Sequence, residues 1–287
     1  MAAEVNLKFR RRPSVFAYHL RALHPSPGVR GEGTTVPIRA TWTRHRIDRQ
    51  QLAQFLALTG LRAEHGLPML FPHVLGFPLQ MVLLTHPRFP VPIWRILQVR
   101  NHLVQHRPIA TDAILDMETV MAGQRILEKG VEFDLQTRIS EGTELVWESV
   151  NTFFARGRYG QSSAVPPSVR MPVQGHTMAA RWTTTTRSGW RFAALSGDYN
   201  GIHYWSWYAR RMGFQRALLH SQLVLGQCMA RLDVRRTTGS ERLDTWLRGP
   251  VYQGADVHLL VSATEQGTDF QLIPDGERRS AIVGRWQ

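Results

Sequence analysis

Cysteine occurs once in this chain, at Cys228, which excludes an intrachain disulfide and any cysteine-built metal site and fits a reducing compartment. No uninterrupted apolar run of about 18 residues occurs, so no membrane-spanning helix is expected. The first residues lack an apolar core followed by a small-residue cleavage site, and a cytoplasmic protein is the expectation. Acidic side chains are in deficit: 22 Asp and Glu against 35 Lys and Arg leave a formal net charge of +13, nearly all from arginine. Such a field attracts polyanions. There is, however, no zinc knuckle, no aromatic RNA-binding signature and no recognition helix, and the basic residues are dispersed. These gaps point away from nucleic acid and leave a phosphorylated small molecule or an acidic carrier protein as the fitting anion.

At 287 residues with 43% hydrophobic content, the chain can bury one large core or two medium ones. Residues 1–34 form a basic N-terminal extension in which residues 8–12 precede Val15, Phe16, Leu20 and Leu23, with Pro25 and Pro27 ending the pattern. A helix packed on the body is the favoured reading, ahead of an anionic-membrane contact or a transit peptide.

The chain also resembles itself. Phe55-Leu56-Ala57-Leu58-Thr59-Gly60 returns 137 residues later as Phe192-Ala193-Ala194-Leu195-Ser196-Gly197. His73 and its apolar run pair with His220, and Arg100, Leu103 and Gln105 pair with Arg248, Val251 and Gln253. Residues 158–172, rich in Ser, Gly and Pro, read as a linker between units at 35–157 and 173–287. Each unit offers a short helix (48–58 and 188–195) and a longer apolar one (73–84 and 220–232). Extended segments follow at 94–105, 112–121, 130–139 and 144–155, then at 245–252, 256–263, 269–273 and 281–286. Helices followed by antiparallel strands predict an α+β architecture, a sheet wrapped around a central helix in each repeat, with the two sheets joined at an edge.

Where the copies differ, the second carries about ten more residues after its glycine, and among them are Asp198, Asn200 and His203. Small and amide residues, Ser196, Gly197, Asn200 and Gly201, surround an acid and an imidazole, as a tight turn requires when it aims two side chains at one point. A water held between Asp198 and His203 would be both proton donor and acceptor. Residues 192–209 resemble the signature of the MaoC-like family of (R)-specific enoyl thioester hydratases and 3-hydroxyacyl thioester dehydratases, departing at Gly201, where proline is usual. Leu218-Leu219-His220-Ser221 is similar to the family's apolar stretch ending in His-Gly, with serine for glycine, and residues 248–256 look like its strand, proline and turn.

The resemblance implies a double hot dog fold and a hydro-lyase acting on trans-2-enoyl or 3-hydroxyacyl thioesters of CoA or acyl carrier protein, in fatty acid metabolism. Asp198 and His203 would be the catalytic pair, the backbone N–H near Ser221 the oxyanion donor, and Asn200, Gly197 and His220 supports. Neither cofactor nor metal is implied, and a homodimer is compatible. Two rivals stand beside it: an acyl-thioesterase on the same fold, and a noncatalytic acyl-binding subunit, made conceivable by Ser221 and Gly201. Tyr204, Trp205, Trp207 and Tyr208 read as residues that pack a helix onto the sheet, ahead of a base-stacking platform or an acyl-channel lining. Cys228 reads as an inert buried thiol, and His102 with His106 lack a third metal ligand.

Overall fold

The computed structural model describes residues 4–29, 31, 37–162, 176–232 and 239–287. Most of the expected linker therefore lies outside the described residues. The first half runs β2 (Ile38–Arg46), α2 (Arg49–Thr59), α3 (Leu70–Leu84), β3 (Ile96–Gln105), β4 (Ile114–Leu127), β5 (Gly130–Glu141) and β6 (Glu144–Arg156). The second repeats it as β7 (Thr177–Thr183), α4 (Ser188–Ser196), α5 (Ser206–Arg211), α6 (Ser221–Met229), β8 (Glu241–Leu247), β9 (Asp256–Thr264), β10 (Gly267–Pro274) and β11 (Ile282–Trp286). Ahead of both lie β1 (Val5–Phe9) and α1 (Val15–Arg21).

All eleven strands form one sheet in the order β1-β2-β4-β5-β6-β3-β8-β11-β10-β9-β7. The order within each half is the same, β2-β4-β5-β6-β3 and β7-β9-β10-β11-β8, so the architecture is α+β and the fold a double hot dog. The halves join where β3 and β8 pair antiparallel, Arg100 opposite Trp246 and Gln105 opposite Glu241, which removes an edge from each half-sheet. Every residue of α3 is buried, and so is every residue of α6 after Ser221. A sheet that wraps a helix leaves it no polar face, which is why neither helix shows an amphipathic pattern. Among the described residues no helix is long and apolar enough to cross a membrane.

The repeat holds bond for bond where the short helices end. Gly60 N–H donates to Leu56 O at 2.8 Å and Gly197 N–H to Ala193 O at 2.7 Å, both glycines lying in the left-handed region. Thr59 and Ser196 hydroxyls bond back to Phe55 O and Phe192 O at 2.8 and 3.0 Å. Other sequence equivalences need correction. His220 caps α6, whereas His73 is one turn inside α3, whose cap is Met69. Arg100 belongs to β3, but Arg248 follows the end of β8: the chain leaves the sheet before Pro250, which has no N–H to donate. Arg100 is instead a buried structural cation, paired with Glu132 through bonds of 2.9 and 2.5 Å.

The N-terminal extension is also integral to the fold. β1 pairs parallel with β2, and α1 reaches across to the second half. There Arg12 donates to Leu195 O and Ala194 O at 2.8 and 3.1 Å, satisfying carbonyls at the end of α4. Tyr18, fully buried, donates to Gly197 O at 2.7 Å.

Candidate active site

α4 sets the site by how it ends. After Gly197, the Ser196 hydroxyl accepts from Asp198 N–H at 3.2 Å, which folds the chain back and brings Asp198 over the helix terminus. A Cβ at Gly197 would lie 2.6 Å from Tyr18 Oη, so close approach as well as backbone angle requires glycine. Asp198 Oδ1 accepts from Asn200 N–H at 3.2 Å, and Asn200 Oδ1 accepts from Ile202 N–H at 3.3 Å. These two Asx turns lead into a 3-10 turn, Gly201–His203, that delivers His203. Asn200 thus both closes the turn and steadies Asp198.

His203 Nδ1 donates to Leu218 O at 3.0 Å, which leaves Nε2 facing Asp198 Oδ2 across 3.6 Å. The Leu218 segment is held in turn: Leu218 bridges Tyr252, and Leu219 N–H donates to Val251 O at 2.8 Å. All three stretches singled out in the sequence therefore meet at one place. The Asp198 backbone carbonyl accepts from Tyr204 Oη at 2.9 Å and from His220 Nε2 at 3.0 Å. The His220 ring stacks on His203, centroids 3.7 Å apart and planes 22° from parallel.

Burial alone would raise the Asp198 carboxyl, but it is held well below the usual carboxylate range because the facing ring of His203 and the Asn200 N–H outweigh that effect. His220 is pushed down to about 3, first by burial and then by His203, so it stays neutral. Asp198, His203 and His220 each offer a ligand atom within 4.8 Å of the others. Stacking keeps the two imidazole lone pairs in nearly parallel planes, however, so they do not converge on one ion as a tetrahedral site demands. The constellation suits proton transfer better than metal binding.

The pair lies on the wall of a cavity of about 620 Å³ that both halves line. The second half supplies Asp198, His203, Leu219 and Ser221, while α3 supplies Phe77, Met81 and Leu84, α1 supplies Tyr18 and the turn after it Leu23. Ser221 opens α6, and among the described residues its N–H has no acceptor. The corresponding place in the first half is closed. Leu67 and Met69 are buried, Leu67 N–H bonds Ile109 O at 2.8 Å, and Trp147 Nε1 bonds Met69 O at 2.9 Å, with no acid or imidazole in that loop aimed inward.

Sequence reasoning missed Tyr18, Arg12 and Tyr204, which act on the turn through backbone carbonyls, a role no spacing announces. The expectation that Trp205 and Trp207 pack a helix is overturned, since both are exposed. Cys228 is buried and its thiol pushed up to about 12 by desolvation, as an inert thiol would be. His102 bonds Asp244 at 2.8 Å, and His106 lies 3.3 Å from Glu148.

No family model matches the chain. It is 29% identical over 226 residues to 3-hydroxyacyl-thioester dehydratase X of Mycobacterium tuberculosis, covering 79% of this chain and 80% of that one. It is also 29% identical over 145 residues to the peroxisomal enoyl-CoA hydratase 2 of Arabidopsis thaliana, 46% of this chain and 47% of that one. The crystal structure of HtdX of M. tuberculosis superposes with a TM-score of 0.75 at 26% identity, over 86% of this chain and 98% of that one. The chain is thus similar to the MaoC-like hydratases and dehydratases, and its fold is the double hot dog. A MaoC-like dehydratase from Phytophthora capsici shares the fold, with a TM-score of 0.73 at 18% identity over 86% of this chain and 94% of that one. Set beside the MaoC-like pattern that it resembles, the chain departs at Gly201. A Cβ there would sit 3.0 and 3.1 Å from the rings of Tyr208 and Trp205, so the substitution makes room for aromatics.

Proposed function

We propose that this enzyme reversibly adds water to trans-2-enoyl thioesters to give (3R)-3-hydroxyacyl thioesters. The observation that carries the reading is the facing of Asp198 Oδ2 and His203 Nε2 across 3.6 Å on the wall of an apolar cavity. With Nδ1 donating to Leu218 O, the form of His203 that serves as base turns its Nε2 lone pair toward the Asp198 carboxylate. Two acceptors so placed are satisfied together by one water, which has two O–H donors. In the hydration direction the water oxygen bonds to C3 while the C2=C3 electron pair shifts toward the thioester carbonyl. His203 Nε2 takes one water proton and returns it to C2; Asp198 orients the water and stabilises the imidazolium. The charge reaching the thioester oxygen is received by the Ser221 N–H at the positive end of α6. Gly197, Asn200 and His220 hold the turn. On this reading residues 173–287 carry the chemistry, residues 35–157 shape the acyl cavity, 158–172 join the two, and 1–34 brace the turn.

Loss of enoyl ultraviolet absorbance with a panel of trans-2-enoyl-CoA thioesters tests the reaction. Turnover without free thiol is expected; thiol release with the double bond intact would make the protein a thioesterase, and binding without turnover a noncatalytic subunit. The panel also tests the role of the first half. Because Phe77, Met81 and Leu84 line the cavity, Phe77→Trp is expected to slow medium and long enoyl chains about tenfold relative to four-carbon substrate, as added bulk forces either overpacking or exclusion. A wild-type enzyme confined to four-carbon chains would remove that role.

A further inference from the structure

The cavity opens among apolar side chains that the fold leaves in water. Phe16, Leu20 and Leu23 are 77, 56 and 74% exposed and recur at i, i+4 and i+7, so they share one side of α1 and the turn after it. Tyr18, on the other side, is fully buried. α1 therefore packs on the body through Tyr18 and turns an apolar stripe outward. Leu23, Trp94 and Leu97 line the cavity and yet remain open to solvent, which puts them at its mouth. From α1 the surface continues through ring contacts. His19 lies 6.5 Å from Tyr199, Tyr199 6.3 Å from Trp190, Trp190 6.1 Å from Trp205, and Trp205 stacks with Trp207 at 6.3 Å. Among the described residues, only Ile114 and Met178 are exposed large apolar side chains outside these stretches, so the exposure is concentrated where the cavity opens.

The same stretches are stripped of acid. Residues 5–29, 85–99 and 187–220 all contribute to the cavity wall, and they hold no Asp or Glu except Asp198 of the dyad. Arg11, Arg95, Arg191 and Arg211 within them are exposed. A second copy of the chain would set these cations against themselves. A partner recognised by charge alone would leave Phe16, Leu20 and Trp207 wet. An anionic lipid surface satisfies both features: apolar side chains enter the boundary between headgroups and acyl chains, where indole rings are favoured, and guanidinium groups meet the lipid phosphates. We infer that this face docks on an anionic lipid bilayer, so that the cavity opens against the membrane surface.

Binding is read without substrate, so the docking stands or falls apart from the proposed reaction. The full chain is mixed with vesicles of phosphatidylcholine alone or of equal parts phosphatidylcholine and phosphatidylglycerol, and cosedimentation gives the bound fraction. Binding to the anionic vesicles is expected, weakened by added salt and absent with phosphatidylcholine alone. Lipids brominated along their acyl chains should quench tryptophan emission of the bound protein, as rings seated below the headgroups require. Phe16→Gln/Leu20→Gln/Trp207→Gln should lower affinity for anionic vesicles by about tenfold or more, through lost apolar burial. Arg11→Glu/Arg95→Glu/Arg211→Glu should lower it as much through charge. All six are surface positions, so melting should match wild type. Met178→Gln, on the edge strand β7, should bind as wild type does. No binding to anionic vesicles, equal binding to phosphatidylcholine alone, or affinity unchanged in the apolar variant would overturn the inference. So would dimerisation that the apolar variant abolishes without any vesicle binding, which would assign the face to a second copy. Capture of an acidic protein in place of vesicles would likewise overturn it.

Discussion

Asp198→Asn and His203→Ala are each expected to lower kcat for enoyl thioester hydration by about 10³-fold or more, at the upper end of what positioned acid/base groups supply. The asparagine is the cleaner variant. It keeps the shape and the Oδ1 that accepts from Asn200 N–H, and the Asp198 backbone carbonyl keeps its bonds to Tyr204 and His220, so the turn is preserved. Only the negative charge facing His203 Nε2 is lost. Because the two groups act on one water, the double variant should be scarcely worse than either single one. Circular dichroism and melting must show the variants folded, and enoyl absorbance then reads the rate. Normal turnover in either variant removes that residue from the mechanism. The charge state of Asp198 adds a second expectation. A carboxyl held well below its usual range remains ionised throughout mildly acidic pH, so any acid limb of the rate above about pH 4.5 does not come from its protonation.

The parts legible in the sequence were those with a local signature. The turn from Ser196 to His203 carries its own instructions in glycine and Asx residues, and the helix-terminating pair Thr59-Gly60 and Ser196-Gly197 repeats in kind, so both the site and the duplication could be read. The strands β2 and β7, which open the two halves, could not. β7 is mostly exposed and has no apolar alternation to betray it. β8 begins at Glu241 rather than 245, because its partner β3 extends it where the local sequence is polar. The misaligned pairs His73/His220 and Arg100/Arg248 came from matching residue types across a segment whose loop lengths had changed. The burial of His73 and the Glu132 pairing of Arg100 show that both are held by the first half's own packing. The bracing of the turn that carries Asp198 by Tyr18 and Arg12 spans about 180 residues of sequence and acts through main-chain oxygens, so no motif could have reported it.

Stability is expected to fall steeply as pH drops from about 6.5 toward 4, and the cause is buried histidines, His73 and His220 foremost, with His45 also pushed down to about 4 by burial. His73 is pushed down to about 4 by burial, and His220 to about 3 by burial and by His203. In the unfolded chain both would titrate near 6.5. Between these limits the unfolded state binds more protons than the native state, so native stability increases with pH and is lost on acidification. Each group contributes a slope of ~1.4 kcal/mol per pH unit, and the two together cost roughly 4 kcal/mol at pH 5, a large share of an ordinary domain's stability. Asp198 works in a separate window. Its depressed native value stabilises the fold above the unfolded carboxylate value near 4 and is lost only below that. Urea midpoints at pH 7.5, 6 and 5 should show the decline. His73 gives a way to isolate one share of it, since neither ring nitrogen has a partner among the described residues and the ring is buried. His73→Phe, which exchanges a stranded imidazole for an apolar ring, should lower the pH slope by about 1.4 kcal/mol per pH unit and make the variant more stable than wild type at pH 5. It leaves Asp198, His203 and His220 untouched. A urea midpoint flat from pH 7.5 to 5, or a slope unchanged by His73→Phe, would show that these imidazoles find proton acceptors in the folded protein and that burial does not govern their charge.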